Sequence, residues 1–272
     1  MKVYAFVLLA LYLQATESRR LSDQMDNEIE RSNGNRIDFG KRVKDWVRIS
    51  EAPSPVISYP ADSRIQLECE AIGSPAPTIQ WLKGNTFLTD NDRFQNNLID
   101  DVPPHGMAKI RARLVINSAL PIHEGTFTCV AESGAQVATA KSNVYVVRNE
   151  NSERNITELL TKELLETRAK PTIVLFDTIY MDNIGSDIVL PCKAVGNPRP
   201  NIMWFDPTDN RIRASNDRVT VLPDGGLRIR NIHWSDMGKY VCVAMNADSQ
   251  DNISTFLYPM RKSKASSPTD AA

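Results

Sequence analysis

Apolar and polar residues alternate along most of this chain with the period of two that sends successive side chains to opposite faces of a strand. Around Cys69 one parity reads Ile65, Leu67, Cys69 and Ala71, and around Cys192 it reads Ile188, Leu190, Cys192 and Ala194. The same alternation surrounds the other two cysteines, with Phe127, Cys129 and Ala131 in one stretch and Tyr240, Cys242 and Ala244 in the other. Leu114 with Ile116, and Leu227 with Ile229, add one inward pair to each half. These positions predict two sets of short strands, each closing its own core. Two stretches depart from the pattern. Val3 to Leu13 is continuously apolar. Between Asn155 and Thr167, Ile156, Leu159, Leu160, Leu164 and Leu165 recur largely at i, i+3, i+4 and i+8 or i+9, with Glu158, Lys162, Glu163 and Glu166 opposite. That spacing predicts an amphipathic helix, which Pro171 ends.

The two halves share a thirteen-residue pattern, C-x-A-x-G-x-P-x-P-x-I-x-W, once from Cys69 to Trp81 and again from Cys192 to Trp204. Each copy is followed by one further cysteine, Cys129 and Cys242, and the chain has 4 cysteines in all. A Cys…Trp…Cys spacing of this kind marks an immunoglobulin sandwich, in which the tryptophan packs on the disulfide between the sheets. The fold class is therefore all-β: two tandem immunoglobulin-like (I-set-like) sandwiches with a partly helical connector. Boundaries follow as a signal peptide at 1–18, a polar leader at 19–42, a first domain at 43–148, a connector at 149–170, a second domain at 171–260 and a polar tail at 261–272. Pro53, Pro55 and Pro60 are expected to break the edge where the first strand changes sheets.

The N-terminus indicates the compartment. Lys2, the apolar run and the small residues Ala15, Thr16 and Ser18 have the layout of a secretory signal. No later stretch reaches the roughly 18 apolar residues of a membrane span, and the polar end of the chain lacks the tail of a lipid-anchor signal. A secreted, extracellular protein with no membrane insertion is expected. Cysteines in that compartment read as disulfides. Of three possible connectivities, Cys69–Cys129 and Cys192–Cys242 keep each bond inside one repeat. The sequons Asn155-Ile156-Thr157 and Asn252-Ile253-Ser254 are glycan acceptor candidates.

Net charge is −1, which gives no field for nucleic acid. His105, His123 and His233 have no metal-ligand spacing, and neither a nucleophile elbow nor a phosphate-cradling loop occurs. No catalytic residue, cofactor or metal is expected. The halves also differ from one another. Asp236, Gly238, Tyr240 and Cys242 fit the corner in which a tyrosine hydroxyl ties back to the chain, whereas the first half has His123, Gly125, Phe127 and Cys129. The first half also carries about ten extra residues near Asn91 to Gly106, read either as a recognition loop or as a tolerated insertion. The leucine stripe of the connector either packs on one domain or joins a ligand groove. Arg261, Lys262 and Lys264 read as a solvated tail or a weak heparin contact.

The combination of signal peptide, polar leader, two such domains and a long connector resembles the insect imaginal morphogenesis protein-Late family, also called neural/ectodermal development factors. The resemblance spans roughly Asp45 to Tyr258 and includes the stretch from Ile65 to Pro75 and that from Asp224 to Ile229. It implies a secreted binder that sequesters insulin-like peptide hormones and lowers signalling at their receptor. The hormone-binding candidates are Ile156, Leu159, Leu160, Leu164 and Leu165. The competing class is a secreted adhesion or guidance ligand that contacts other extracellular immunoglobulin proteins.

Overall fold

In the computed structural model, residues 45–88, 106–147, 168–213 and 218–261 are described. The first repeat forms β1 (Trp46–Glu51), β2 (Val56–Pro60), β3 (Ile65–Ser74), β4 (Thr78–Lys83), β5 (Thr86–Phe87), β6 (Met107–Ile116), β7 (Gly125–Ser133) and β8 (Gln136–Val147). The second forms β9 (Ala169–Asn183), β10 (Ile188–Leu190), β11 (Cys192–Asn197), β12 (Asn201–Phe205), β13 (Arg211–Ile212), β14 (Val219–Val221), β15 (Leu227–Ile229), β16 (Gly238–Met245) and β17 (Gln250–Met260). The predicted sheet switch lies where the prolines stand. Before Pro53 and Pro55 β1 pairs antiparallel with β3, and after them β2 pairs parallel with β8 in the opposite sheet, with Pro60 as the last residue of β2.

The cysteine-centred parities build the cores. Ile65, Leu67, Cys69, Ala71, Leu114, Phe127, Cys129 and Ala131 are buried together, as are Ile188, Leu190, Cys192, Leu227, Ile229, Tyr240, Cys242 and Ala244. Ile116 and Ala194 share those parities but are half-buried at the core margins. Disulfides join Cys69 to Cys129 and Cys192 to Cys242. Trp81 stands in register with Cys129, and Trp204 with Cys242. One strand differs from the sequence expectation. The stretch from Ile188 to Ala194 is not continuous, because Pro191 has no N–H to donate and separates β10 from β11. The two pieces then pair with different strands, β10 with β15 and β11 with β9.

The tryptophans are satisfied unequally. The indole N–H of Trp204 donates to the carbonyl of Gly225 at 2.8 Å. Gly225 has φ +97°, and a Cβ there would lie 2.4 Å from the Cys192 carbonyl oxygen, so the turn that supplies this acceptor requires glycine. The indole nitrogen of Trp81 is buried with no hydrogen-bond partner among the described residues.

The corner of the second domain is complete. The buried Tyr240 hydroxyl donates to the Asp236 carbonyl at 3.1 Å. The Asp236 carboxylate accepts two 2.7 Å bonds from the Arg218 guanidinium and one of 2.7 Å from the His233 amide. Burial alone would raise its pKa; the Arg218 and His233 bonds outweigh that and hold it below the ordinary carboxylate range. In the first domain, where Phe127 has no hydroxyl, the Lys83 ammonium donates to the Ile122 carbonyl and lies 5.9 Å from the Phe127 ring centroid. A cation thus ties down a corner that lacks its tyrosine. Tyr240→Phe should lower the stability of the second domain by about 1 kcal/mol, the typical net worth of one hydrogen bond. Thermal melts of mutant and parent check this, and coincident curves would mean that the bond contributes nothing.

The two sandwiches are joined edge to edge. Among the described residues the largest sheet runs β1-β3-β6-β9-β17-β16-β12-β13, so that β9 lies between β6 of the first domain and β17 of the second. β6 and β9 run antiparallel from Met107 opposite Met181 to Ala112 opposite Leu175, with a bulge between Lys109 and Ile110. Gly106 allows the approach, since a Cβ there would sit 2.3 Å from the Met181 carbonyl oxygen. The cores interleave across the seam: Leu175 packs in the first and Ala108 in the second. Arg113 lies 5.0 Å from the Phe176 ring centroid and donates to the Ile173 carbonyl at 3.3 Å, while Arg64 donates to the Thr172 hydroxyl at 2.6 Å. A main-chain ladder with cation–π and charged contacts on it gives the pair of domains a fixed seam. Both domains accordingly fall within one compact unit, Lys44–Lys262.

Candidate binding surface

In β16 the buried parity is Tyr240, Cys242 and Ala244, which turns Val241, Val243 and Met245 outward. In β12 Trp204 is buried, and Met203 and Phe205 take the opposite parity. In β17 Ile253, Thr255 and Leu257 face the core, leaving Asn252, Ser254, Phe256 and Tyr258 outward. The second half of β9 repeats the arrangement, with Tyr180 buried and Ile179 and Met181 half-buried. Register aligns these side chains into rows across the sheet. Lys239, Phe256, Ile179 and Lys109 form one row; Tyr258, Met181 and Met107 form the next. On the other side Ser254, Val241 and Phe205 line up, followed by Asn252, Val243 and Met203.

The result is an apolar face outside both cores that continues from the second domain over the seam onto β6. Five strands at about 4.8 Å spacing make it about 20 Å wide. Trp234 extends it at one end. It is 46% exposed, meets the Tyr258 ring edge-on at 5.9 Å, and carries the Arg261 guanidinium 5.8 Å from its ring centroid. Met245, at 40% exposure, marks the opposite end. A contiguous apolar face rimmed by charge, with aromatic residues and methionine on it, has the composition of a protein-contact surface. On the corresponding strands of the first domain the outward positions are Thr78, Gln80, Leu82, Thr126, Thr128, Val130 and Glu132, a mainly polar set in which Leu82 and Val130 are the apolar members.

The electrostatics next to the seam are self-contained. Glu70 is buried among Ser50, Lys109 and Arg111, at 2.9, 2.7 and 2.8 Å. Burial would raise its pKa, but the bonds from Lys109, Ser50 and Arg111 together lower it. Arg111 also reaches Glu51 at 2.7 Å, and Arg113 reaches Glu68 at 3.0 Å. The β6 cations are therefore neutralised by the acids of β1 and β3. Lys239, on the second domain, borders the face in an exposed position.

The sequence-derived candidates distribute as follows. All four cysteines lie in the cores, away from this face. Asn252 is exposed on it. Asn155 and the stripe of Ile156, Leu159, Leu160, Leu164 and Leu165 lie outside the described residues, as does the loop from Asn91 as far as residue 105. The outer face itself was not anticipated from sequence, although a signal was present. Residues 240–245 (Tyr-Val-Cys-Val-Ala-Met) and 202–205 (Ile-Met-Trp-Phe) are apolar at both parities, which is the mark of a strand covered on both sides.

Comparison with known proteins agrees with this architecture. The sequence profile of the immunoglobulin domain matches residues 48–133 and 170–246, together more than half of the chain. The chain is 29% identical over 216 residues to the neural/ectodermal development factor IMP-L2 of Drosophila melanogaster, covering 79% of this chain and 78% of that protein. It is 28% identical over 217 residues to the zwei Ig domain protein zig-4 of Caenorhabditis elegans, covering 78% and 79%. The crystal structure of IMP-L2 superposes with a TM-score of 0.64 at 27% identity, over 81% of this chain and 98% of that one.

Proposed function

We propose, from the premise that this chain belongs to the immunoglobulin domain family, that it is a secreted binder which sequesters insulin-like peptides and thereby lowers signalling at their receptor. The observation that carries this reading is the apolar outer face running from β12 across the seam to β6. Its side chains belong to neither core: Trp234, Met245 and Tyr258 are exposed, Ile179, Phe256, Val241 and Val243 are half-buried, and Met107 is buried at the seam. Insulin-like peptides present apolar surfaces for receptor contact, and a binder that covers such a surface blocks the receptor without any chemistry of its own. Similarity to IMP-L2 over most of both chains supports the family resemblance from which the hormone reading is drawn. Export rests on the apolar run from Val3 to Leu13, and no helix among the described residues is long and apolar enough to cross a membrane.

The connector leucines remain part of the proposal as a second contact, because a stripe of five apolar residues exceeds what capping one domain requires. The test is a titration of the purified, secreted chain with labelled insulin-like peptide. Saturable binding by the intact chain is expected, weakened when Leu160 and Leu164 are both replaced by Ser. Absence of binding to any insulin-like peptide would sink the hormone reading and favour an adhesion ligand acting through the same face. Full binding by the Leu160, Leu164 variant would remove the connector from the contact and leave the face.

A further inference from the structure

We propose that Asn252 carries an N-linked glycan that covers one end of the outer face, over Val243 and Met203, and so confines docking to the end formed by Phe256, Tyr258 and the seam. The sequon Asn252-Ile253-Ser254 lies within β17. Ile253 is buried in the core, so strand alternation turns its two neighbours outward, and both Asn252 and Ser254 are exposed. The Asn252 main-chain amide donates to the Asp251 carboxylate at 2.9 Å, and the exposed residue carries its carboxamide outside the core. Register places Asn252 opposite Val243, and Val243 opposite Met203. A sugar on the carboxamide nitrogen therefore begins about 5 Å from Val243. Phe256 is four residues further along the strand, or about 13 Å away. The glycan thus divides the face without occluding the junction.

The chemistry needs only a secretory compartment. The Asn252 carboxamide nitrogen attacks the anomeric carbon of a polyprenyl-diphosphate-linked oligosaccharide. The new N–C bond forms as the C–O bond to the diphosphate breaks, and the polyprenyl diphosphate leaves with the electron pair while the amide gives up one proton. This occurs on the unfolded, entering chain, so the later strand position is no barrier. A glycan here also gives a physical account of an apolar face on a secreted protein: hydrated sugar over Val243 and Met203 lowers its tendency to self-associate. The inference rests on the secreted reading above and not on the identity of the partner.

The experiment uses the full chain expressed in animal cells and recovered from the medium. Peptide N-glycosidase in heavy-oxygen water should convert the Asn252 carboxamide to a labelled carboxylate, and Ser254→Ala should abolish the labelling. Asn252→Gln, a substitution at an exposed site, should keep the parent's melting curve and raise the fluorescence of an apolar-surface dye about twofold. Exported protein with unlabelled Asn252 overturns the proposal while leaving export intact. Labelling with unchanged dye binding in Asn252→Gln overturns the shielding. Failure of the chain to reach the medium overturns the secreted reading and the glycan together.

Discussion

Replacing Cys192 and Cys242 together by Ala is expected to cost the second domain about 4 kcal/mol, the chain-entropy value for a cross-link that closes a 50-residue loop. The magnitude is large against the 5 to 15 kcal/mol of a whole domain, and the fold offers little to offset it. The strand carrying Cys192 is cut at Pro191, leaving β10 with three residues and β11 with six. The ladder of β11 on β9 is itself interrupted by register shifts between Lys193 and Ala194 and between Val195 and Asn197. Without the disulfide, β11 keeps its interrupted ladder on β9 and the packing of Cys192 and Ala194 in the second core. The first domain has a sturdier counterpart in β3, ten residues long and paired on both sides by β1 and β6. Guanidinium unfolding of the double variant should show a transition shifted to lower denaturant relative to the parent, by more than the equivalent Cys69, Cys129 variant loses. Coincident transitions for variant and parent would contradict this account of the second domain.

The elements and their inward faces were legible because two cysteines and one tryptophan per repeat fix the parity of three strands, and alternation propagates it. The corner of the second domain was legible for the same reason: Asp236, Gly238 and Tyr240 stand at set offsets from Cys242. The seam was not. Pairing of β6 with β9 is made by main-chain groups, which every residue carries, and its partners are about seventy positions apart. Gly106, the cation and ring of Arg113 and Phe176, the Arg64–Thr172 bond and the interleaved Leu175 and Ala108 mark it, and none of these residue types is diagnostic alone. The break at Pro191 could be read from the proline once the strand was assigned, but the strength of the flanking alternation concealed it. The outer face is not legible from the inward parity, because strand alternation assigns the opposite parity to solvent. In β16 and β12 that opposite parity is Val241, Val243, Met203 and Phe205, which water would not favour.

The central claim is that the outer face at the seam is where the partner docks, and Phe256→Asp tests it most directly. Phe256 sits between Ile179 and Lys239 in register, half-buried, outside the core. A carboxylate there removes the aromatic anchor and places a charge that docking would have to strip of water. Its fold should survive, because Thr255 and Leu257 keep the inward contacts of β17 and Lys239 lies alongside. Titration of an insulin-like peptide into parent and variant should show affinity lower by about 30-fold in the variant, the equivalent of roughly 2 kcal/mol for one central contact. Melting curves of the two proteins should coincide within a few degrees. Equal affinity for the hormone in parent and variant, with both folded, would contradict the assignment of this face as the binding surface.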